Sequence, residues 1–153
     1  MIQNEVDERF MRLALDEARL ALDKNETPVG AVIVREGRVI SRGHNLRESE
    51  KNALSHAEII AINAACRELL SWRLSGCTIY VTLEPCPMCA GAIINARLDR
   101  VVFGARDSKA GCMGSLIDLT KVQFNHTMPV LEGVLKEESG SLLREFFSRL
   151  RNE

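Results

Sequence analysis

The sequence predicts an α/β fold, a three-layer α/β/α sandwich around a five-stranded mixed sheet. Two observations predict it. An opening hairpin pattern is followed by helical patterns that alternate with short β-branched stretches, the signature of a sheet covered by helices on both faces. The 153 residues also contain no internal repeat, low-complexity tract or long linker, so one domain is expected over 1–153.

Each element has its own reason. Residues 6–24 carry Phe10, Leu13, Ala14, Ala18 and Ala21 at helical spacing, with Glu17 the one polar member of the stripe. Pro28 to Val34 and Arg38 to Ser41 are β-branched stretches joined by Glu36-Gly37, a hairpin pattern. An alanine- and isoleucine-rich helix is expected from Ser55 to about Leu70, and a strand from Cys77 to Leu83. Pro85 ends that strand and helps start a helix over roughly 87–97. Arg100 to Gly104 and Val130 to Val134 read as two further strands. The last helix is expected at about 137–151, with Leu142, Leu143, Phe146, Phe147 and Leu150 on one side.

The residues that carry chemistry form a split cluster. His56-Ala57-Glu58 is separated by 26 residues from Pro85-Cys86-Pro87-Met88-Cys89. One imidazole and two thiolates make three ligands that suit zinc, and three protein ligands leave a tetrahedral ion one open position. Glu58 is then placed to move protons at that position. The predicted fold agrees: His56 opens one helix, while Cys86 and Cys89 open another directly after a strand. Ligand sites in open α/β sheets lie beyond the carboxyl ends of strands. Helix N-termini there favour thiolate over thiol. Each half also has a plainer reading. Cys86-x-x-Cys89 alone would serve as a redox dithiol. Ser55-His56-Ala57-Glu58 also scores as a capping box, in which Glu58 would bond back to the Ser55 backbone.

Composition narrows the class. Hydrophobic residues make up 46% and charged residues 27%, ordinary for a globular protein. No apolar run approaches the ~20 residues needed to span a bilayer. The acidic start, Met1 to Glu8, lacks the basic and apolar regions of a signal peptide. Five cysteines are an odd number, which argues against a disulfide framework. A cytoplasmic protein without membrane contact is expected. A net charge of −1 argues against broad, sequence-blind nucleic-acid binding but allows a local basic rim.

From Thr27 onward the sequence resembles the bacterial tRNA-specific adenosine deaminases. The pattern His-x-Glu followed by Pro-Cys-x-x-Cys is the known signature of zinc nucleobase deaminases. Thr27 to Val32, Gly43-His44-Asn45, His56 to Ile59 and Tyr80 to Ala92 all look like that family, though the zinc motifs select only the wider superfamily. More selective are Val101 to Asp107 with Lys109, Gly114-Ser115-Leu116, and Phe124-Asn125-His126. Phe146-Phe147 with Arg149 and Arg151 resembles the family's closing helix. The resemblance implies a cytidine-deaminase-like fold and a homodimer that converts the wobble adenosine of a tRNA anticodon to inosine. It implies one zinc per chain on His56, Cys86 and Cys89, with Glu58 as proton shuttle. Asn45 and Ala57 join the substrate set, Asn45 through a hydrogen bond to the flipped adenine. Asp107, Lys109, Asn125 and His126 would touch neighbouring nucleotides of the anticodon stem-loop.

Other residues have local readings. Asn45 is a turn residue if taken without the resemblance. His44 reads as a strand-end histidine, Cys66 and Cys77 as small buried thiols, and Trp72 as core. Of Phe146 and Phe147, about 100° apart on a helix, one ring packs and the other is free to stack on a base. Two further functions stay open. One is deamination of a free base or nucleotide such as guanine, cytosine or deoxycytidylate. The other is a zinc-stabilised interaction module closed by a fourth protein ligand, for which Cys112 is the candidate.

Overall fold

A computed structural model describes residues 2–152. Helix α1 (Gln3–Asp23) leads into β1 (Gly30–Arg35) and β2 (Arg38–His44), then a single short helical turn, α2 (Arg47–Glu50). Helix α3 (Ala57–Leu69), β3 (Cys77–Leu83), α4 (Pro87–Asn95) and β4 (Arg100–Ala105) follow. The chain closes with a 3-10 turn at Leu119–Lys121, β5 (Val130–Leu131) and α5 (Lys136–Arg151). The strand order is β2-β1-β3-β4-β5. The pairs β1–β2 and β1–β3 are antiparallel, whereas β3–β4 and β4–β5 are parallel. The mixed five-stranded sheet is the expected one.

Alternation along the strands sends side chains to both faces. Ala31, Ile33, Ile79, Val81, Val101 and Phe103 join one core with Ala57, Ala61 and Ala65 of α3 and Ala90 and Ile93 of α4. Val32, Val34, Tyr80 and Val102 join the other with Phe10, Met11 and Ala14 of α1. The hairpin turns at Glu36 and Gly37, both with positive φ, and Arg35 pairs with Arg38. That is the two-residue connection whose twist matches the strands.

Several boundaries move. The fifth strand stops at Leu131 rather than Val134, because Gly133 turns to positive φ. Its N–H and that of Val134 still reach the Gly104 and Phe103 carbonyls, at 3.1 and 3.3 Å. The stripe of α5 is narrower than its spacing predicts. Phe146 is buried, while Phe147 and Leu150 are exposed. The two rings meet edge-on with centroids 5.4 Å apart, so Phe146 is the packing ring and Phe147 the outward one. Trp72 corrects its assignment to the core. It is 56% exposed and lies in the loop between α3 and β3. The guanidinium carbons of Arg73 and Arg97 stand 4.6 and 5.7 Å from its ring centroids, so its face is covered by cations rather than by core. Cys77 is buried and Cys66 half-buried, and burial raises both thiols. Among the described residues, no helix is long and apolar enough to cross a membrane.

One buried ionic network ties α1 to the sheet. The Asp7 carboxylate, 1% exposed, accepts from Arg100 Nη1 and Nη2 at 2.8 and 2.7 Å and from the Tyr80 hydroxyl at 2.7 Å. Gln3 adds a fourth bond at 2.9 Å. Burial works to raise the Asp7 carboxyl, but these donors outweigh it and hold it below the usual carboxylate range. The same surroundings push Tyr80 upward, through burial first and then the neighbouring carboxylate. Asp7→Asn should cost roughly 3–5 kcal/mol in denaturant unfolding, because a half-buried guanidinium loses its counter-ion. The sign with pH follows. A depressed folded-state value gives stability that is full above the ordinary Asp range and lost as pH falls through the folded value. The Asn variant should therefore be less sensitive than the parent to acid below about pH 4.

Candidate active site

Two helix N-termini create the site. The parallel β3–β4 pair ends at Leu83 and Ala105, and β3 continues through Glu84-Pro85 into α4. Cys86 is the N-cap of α4, extended at φ −76° and ψ 177°, with Pro87 at the first helical position. Pro87, rather than Pro85, is the helix-starting proline. Cys86 and Cys89 therefore share the first turn. From the neighbouring helix of the same layer, His56 is the N-cap of α3. Gly43 lets that helix sit down on β2: a Cβ there would lie 2.5 Å from the Ala57 carbonyl oxygen and 2.9 Å from Ala61 N. The Ser41 hydroxyl donates to the Ala61 carbonyl at 2.8 Å and fixes the same approach.

The two N-termini bring His56 Nδ1 to 3.6 Å from Cys86 Sγ and 3.5 Å from Cys89 Sγ. All three ligand atoms lie within 4.8 Å of one another. Zinc bonds of about 2.3 Å to sulfur and 2.0–2.1 Å to nitrogen, at tetrahedral angles, separate S from N by about 3.6 Å. Both the donor set and its dimensions thus fit one zinc ion. Cys86 is drawn down to about 4, first by the hydrogen bond from Cys89 and then by His56. Cys89 is raised, by that same bond and by burial. His56 is raised by its bond to Cys86. The trio holds protons that a cation would replace.

Glu58 lies beside this triangle, 4% exposed, and burial pushes its carboxyl up to about 7. A carboxyl titrating near neutrality is suited to taking and returning a proton. It does not cap α3. His56 rather than Ser55 is the N-cap, no side chain caps the helix, and the Ser55 hydroxyl donates to Glu50 at 2.5 Å. Cys112 stands outside the ligand group, its thiol 3.4 Å from the Ala110 carbonyl.

A cavity of about 220 Å³ opens over the triangle, lined by Asn45, His56, Ala57, Glu58, Cys86 and Asp107 among others. Six of the ten residues singled out by sequence thus meet, Cys89 being buried behind them. Asn45 makes the turn read for it and also lines the cavity. Its Oδ1 accepts from Arg47 N at 3.1 Å and its Nδ2 donates to the Thr27 carbonyl at 3.3 Å, which is a turn. An amide carries a second donor and a second lone pair, so one of each stays available to a base edge. His44 is the strand-end residue expected, 2.9 Å from both Glu17 and Lys24.

The remaining rim residues do not converge on the cavity. Lys109 lies along a separate groove with Arg144, Phe147 and Arg151. Asn125 lines a hollow with Gly91, Ile94 and Arg97, and His126 Nε2 is 2.6 Å from the Leu98 carbonyl. Sequence reasoning missed Thr27, Arg47, Glu84 and Ala110 on the cavity wall. It also missed Glu26, whose buried carboxylate accepts from Glu48 N at 3.0 Å and Ser49 N at 2.6 Å. The one available signal was an acidic residue at each end of an otherwise apolar strand pattern, Glu26 before Val29 to Val34 and Glu84 after Cys77 to Leu83.

A His/Cys/Cys triangle with a buried carboxyl beside it, at the strand ends of an α/β/α sandwich, is the apparatus of a hydrolytic deaminase. The MafB19-like deaminase family model matches residues 5–151. The tRNA-specific adenosine deaminase of Bacillus subtilis (strain 168) is 51% identical over 148 residues, covering 96% of this chain and 92% of that relative. A solved structure from work on A-to-I editing by tRNA:A34 deaminases at the wobble position superposes with a TM-score of 0.84. It shares 43% identity and covers 88% of this chain and 99% of its own. A guanine deaminase of Nitrosomonas europaea is more distant, with 26% identity, a TM-score of 0.78, and 92% and 84% covered. The chain belongs to the tRNA-specific adenosine deaminase family.

Metal analysis should find one zinc per chain, largely lost in Cys86→Ala and in Cys89→Ala and retained in Cys112→Ala. Loading should also fall as pH drops, because acid keeps the raised His56 and Cys89 protonated. Equal loss of zinc in Cys112→Ala would mean a site closed by protein and end the catalytic reading.

Proposed function

We propose that this chain is a zinc-dependent hydrolase that deaminates adenosine to inosine at the wobble position of a tRNA anticodon, acting as a cytoplasmic homodimer. The observation that carries the chemistry is the buried Glu58 carboxyl beside the His56–Cys86–Cys89 triangle, in a cavity that Asn45 also lines. The names of the relatives support the substrate. At about 220 Å³ the cavity is smaller than the roughly 300–1,000 Å³ of sites for drug-sized ligands. It suits a single base turned out of a loop, while flanking nucleotides stay on the surface. A single-stranded loop makes that extrusion cheaper than a duplex would.

His56, Cys86 and Cys89 would hold the ion. Zinc, when bound, supplies an acidified water, lowering its pKa from about 15.7 toward 7. Glu58 accepts one proton of the attacking water and passes it to ring nitrogen N1. It then takes the remaining proton from the hydroxyl added at C6 and delivers it to the amine, which leaves as ammonia as the C6 carbonyl of inosine forms. Asn45 holds the adenine edge through its free donor and acceptor, with Ala57 against the base. Asp107, Lys109, Asn125 and His126 engage neighbouring nucleotides. Leu116, Ile117, Val122 and Phe124, each about half exposed, give an apolar surface in support of the dimer.

Glu58→Gln should keep zinc and fold and lose at least ~10²-fold in turnover, since an amide cannot accept and return a proton. Near-normal turnover would move the shuttle elsewhere.

An anticodon stem-loop with adenosine at the wobble position should be converted far faster than free adenine, adenosine, guanine or cytidine, read by sequencing for inosine and by ammonia release. Flanking contacts hold the flipped base in a reactive pose, and truncated substrates forfeit them. Asn45→Ala should hurt more than Lys109→Ala, and the Lys109 defect should shrink as salt screens phosphate attraction. Comparable rates on the stem-loop and a free base would defeat the RNA reading in favour of a small-molecule deaminase.

A further inference from the structure

Glu84 is 2% exposed, two residues before Cys86, and the chemistry above does not use it. Its carboxylate faces away from the sheet ladder, into the loop of residues 106–118 that follows β4. Oε1 accepts from Asp107 N at 3.1 Å and from the Ser115 hydroxyl. Oε2 accepts from Met113 N and Ser115 N, both at 3.0 Å. Backbone bonds join the same two segments, from Glu84 N to the Ala105 carbonyl and from Cys112 N to the Pro85 carbonyl, each 2.9 Å. Gly111 packs directly on the carboxylate. A Cβ there would lie 2.4 Å from Glu84 Cδ and Oε2 and 2.5 Å from the Asp107 carbonyl oxygen.

The loop thus turns its amides inward onto one carboxylate instead of pairing them in a strand or helix. An ionised carboxylate has about four acceptor positions, and all of them are used here. Bonds to a charged acceptor are the strong ones and are costly to lose when buried. On the outer side of the same loop, Asp107 Oδ1 accepts from Lys109 N at 3.0 Å and Ala110 N at 3.1 Å. That turn leaves Asp107 and Ala110 on the cavity wall and Lys109 outside it.

We propose that Glu84 is a positioning residue: its carboxylate clamps the 106–118 loop to the Cys86 turn and so holds Asp107, Ala110 and Lys109 in register with the target nucleotide. The assignment of substrate rests on the RNA reading above, whereas the clamp itself does not. Because both oxygens of Glu84 are taken up by the loop, its loss changes substrate capture rather than the chemical step.

The test compares zinc-loaded wild type with Glu84→Gln and Gly111→Ala, which disturb the clamp from its two sides. Glu84→Gln replaces one accepting oxygen with an amino group that faces N–H donors. Hydrogen exchange at Asp107, Met113 and Ser115 should speed at least about tenfold in both variants, as expected when a bond to a charged acceptor is lost. Zinc content should not change. KM for the stem-loop should rise about tenfold with kcat nearly unchanged, the signature of lost uniform binding. Unchanged exchange and KM in both variants would overturn the clamp. So would lost zinc or a lower kcat at constant KM, since either would mean that Glu84 acts on the ligands or the chemistry. If wild type makes no inosine, the RNA reading fails alone, and the exchange data still decide whether Glu84 holds the loop.

Discussion

The chemistry of this protein depends on two helices beginning at the same point. One imidazole and two thiols can share an ion only if their donor atoms meet within bonding reach of it, and they come from segments about thirty residues apart. The parallel β3–β4 pair fixes where α4 starts, and the close seat of α3 on Gly43 fixes where His56 projects. A bulkier residue at Gly43 would lift α3 from β2 and carry His56 and Glu58 with it. Packing between a helix and a strand therefore sets the donor spacing of 3.5–3.6 Å.

The same junction decides the electrostatics. Cys86 and Cys89 share the first turn of α4, where the hydrogen bond from Cys89 and the neighbouring His56 draw Cys86 down, while the same bond and burial raise Cys89. Glu58, in the first turn of α3, meets the opposite condition to Cys86. Burial withholds solvation from its charged form and raises it to about 7. One cavity thus contains a stabilised anion and a carboxyl poised to carry a proton, and the difference lies in burial and partners rather than residue type.

Buried carboxylates also organise the parts of the molecule that lack regular structure. Asp7 joins α1 to Tyr80 and Arg100. Glu26 gathers the amides of α2, and Glu84 gathers those of the loop after β4. Inward-facing amides must find acceptors once they leave water, and a carboxylate serves several at once. The two loop carboxylates hold the segments that bring Arg47 and Asp107 to the cavity wall.

The sequence by itself determined the layer order, the strand count and the side chains that meet at the site, His56, Cys86 and Cys89 with Glu58. Local spacing carries that information: the 3.6 and 2.0 periodicities report which faces are buried, and His-x-Glu with Cys-x-x-Cys reports donor chemistry at helix starts. It left open whether Glu58 capped a helix, whether Asn45 made a turn or faced substrate, and which of Phe146 and Phe147 pointed outward. Each depends on what lies across space rather than along the chain. Tertiary structure released Glu58 from capping by making His56 the N-cap, made Asn45 a turn residue that also lines the cavity, and turned Phe147 out. It also exposed Trp72 under two arginines, since hydrophobicity is readable in a sequence but the cations that cover a ring are not. Glu26 and Glu84 were hardest to see, because a buried carboxylate is identified by the amides that surround it, and those come from distant loops.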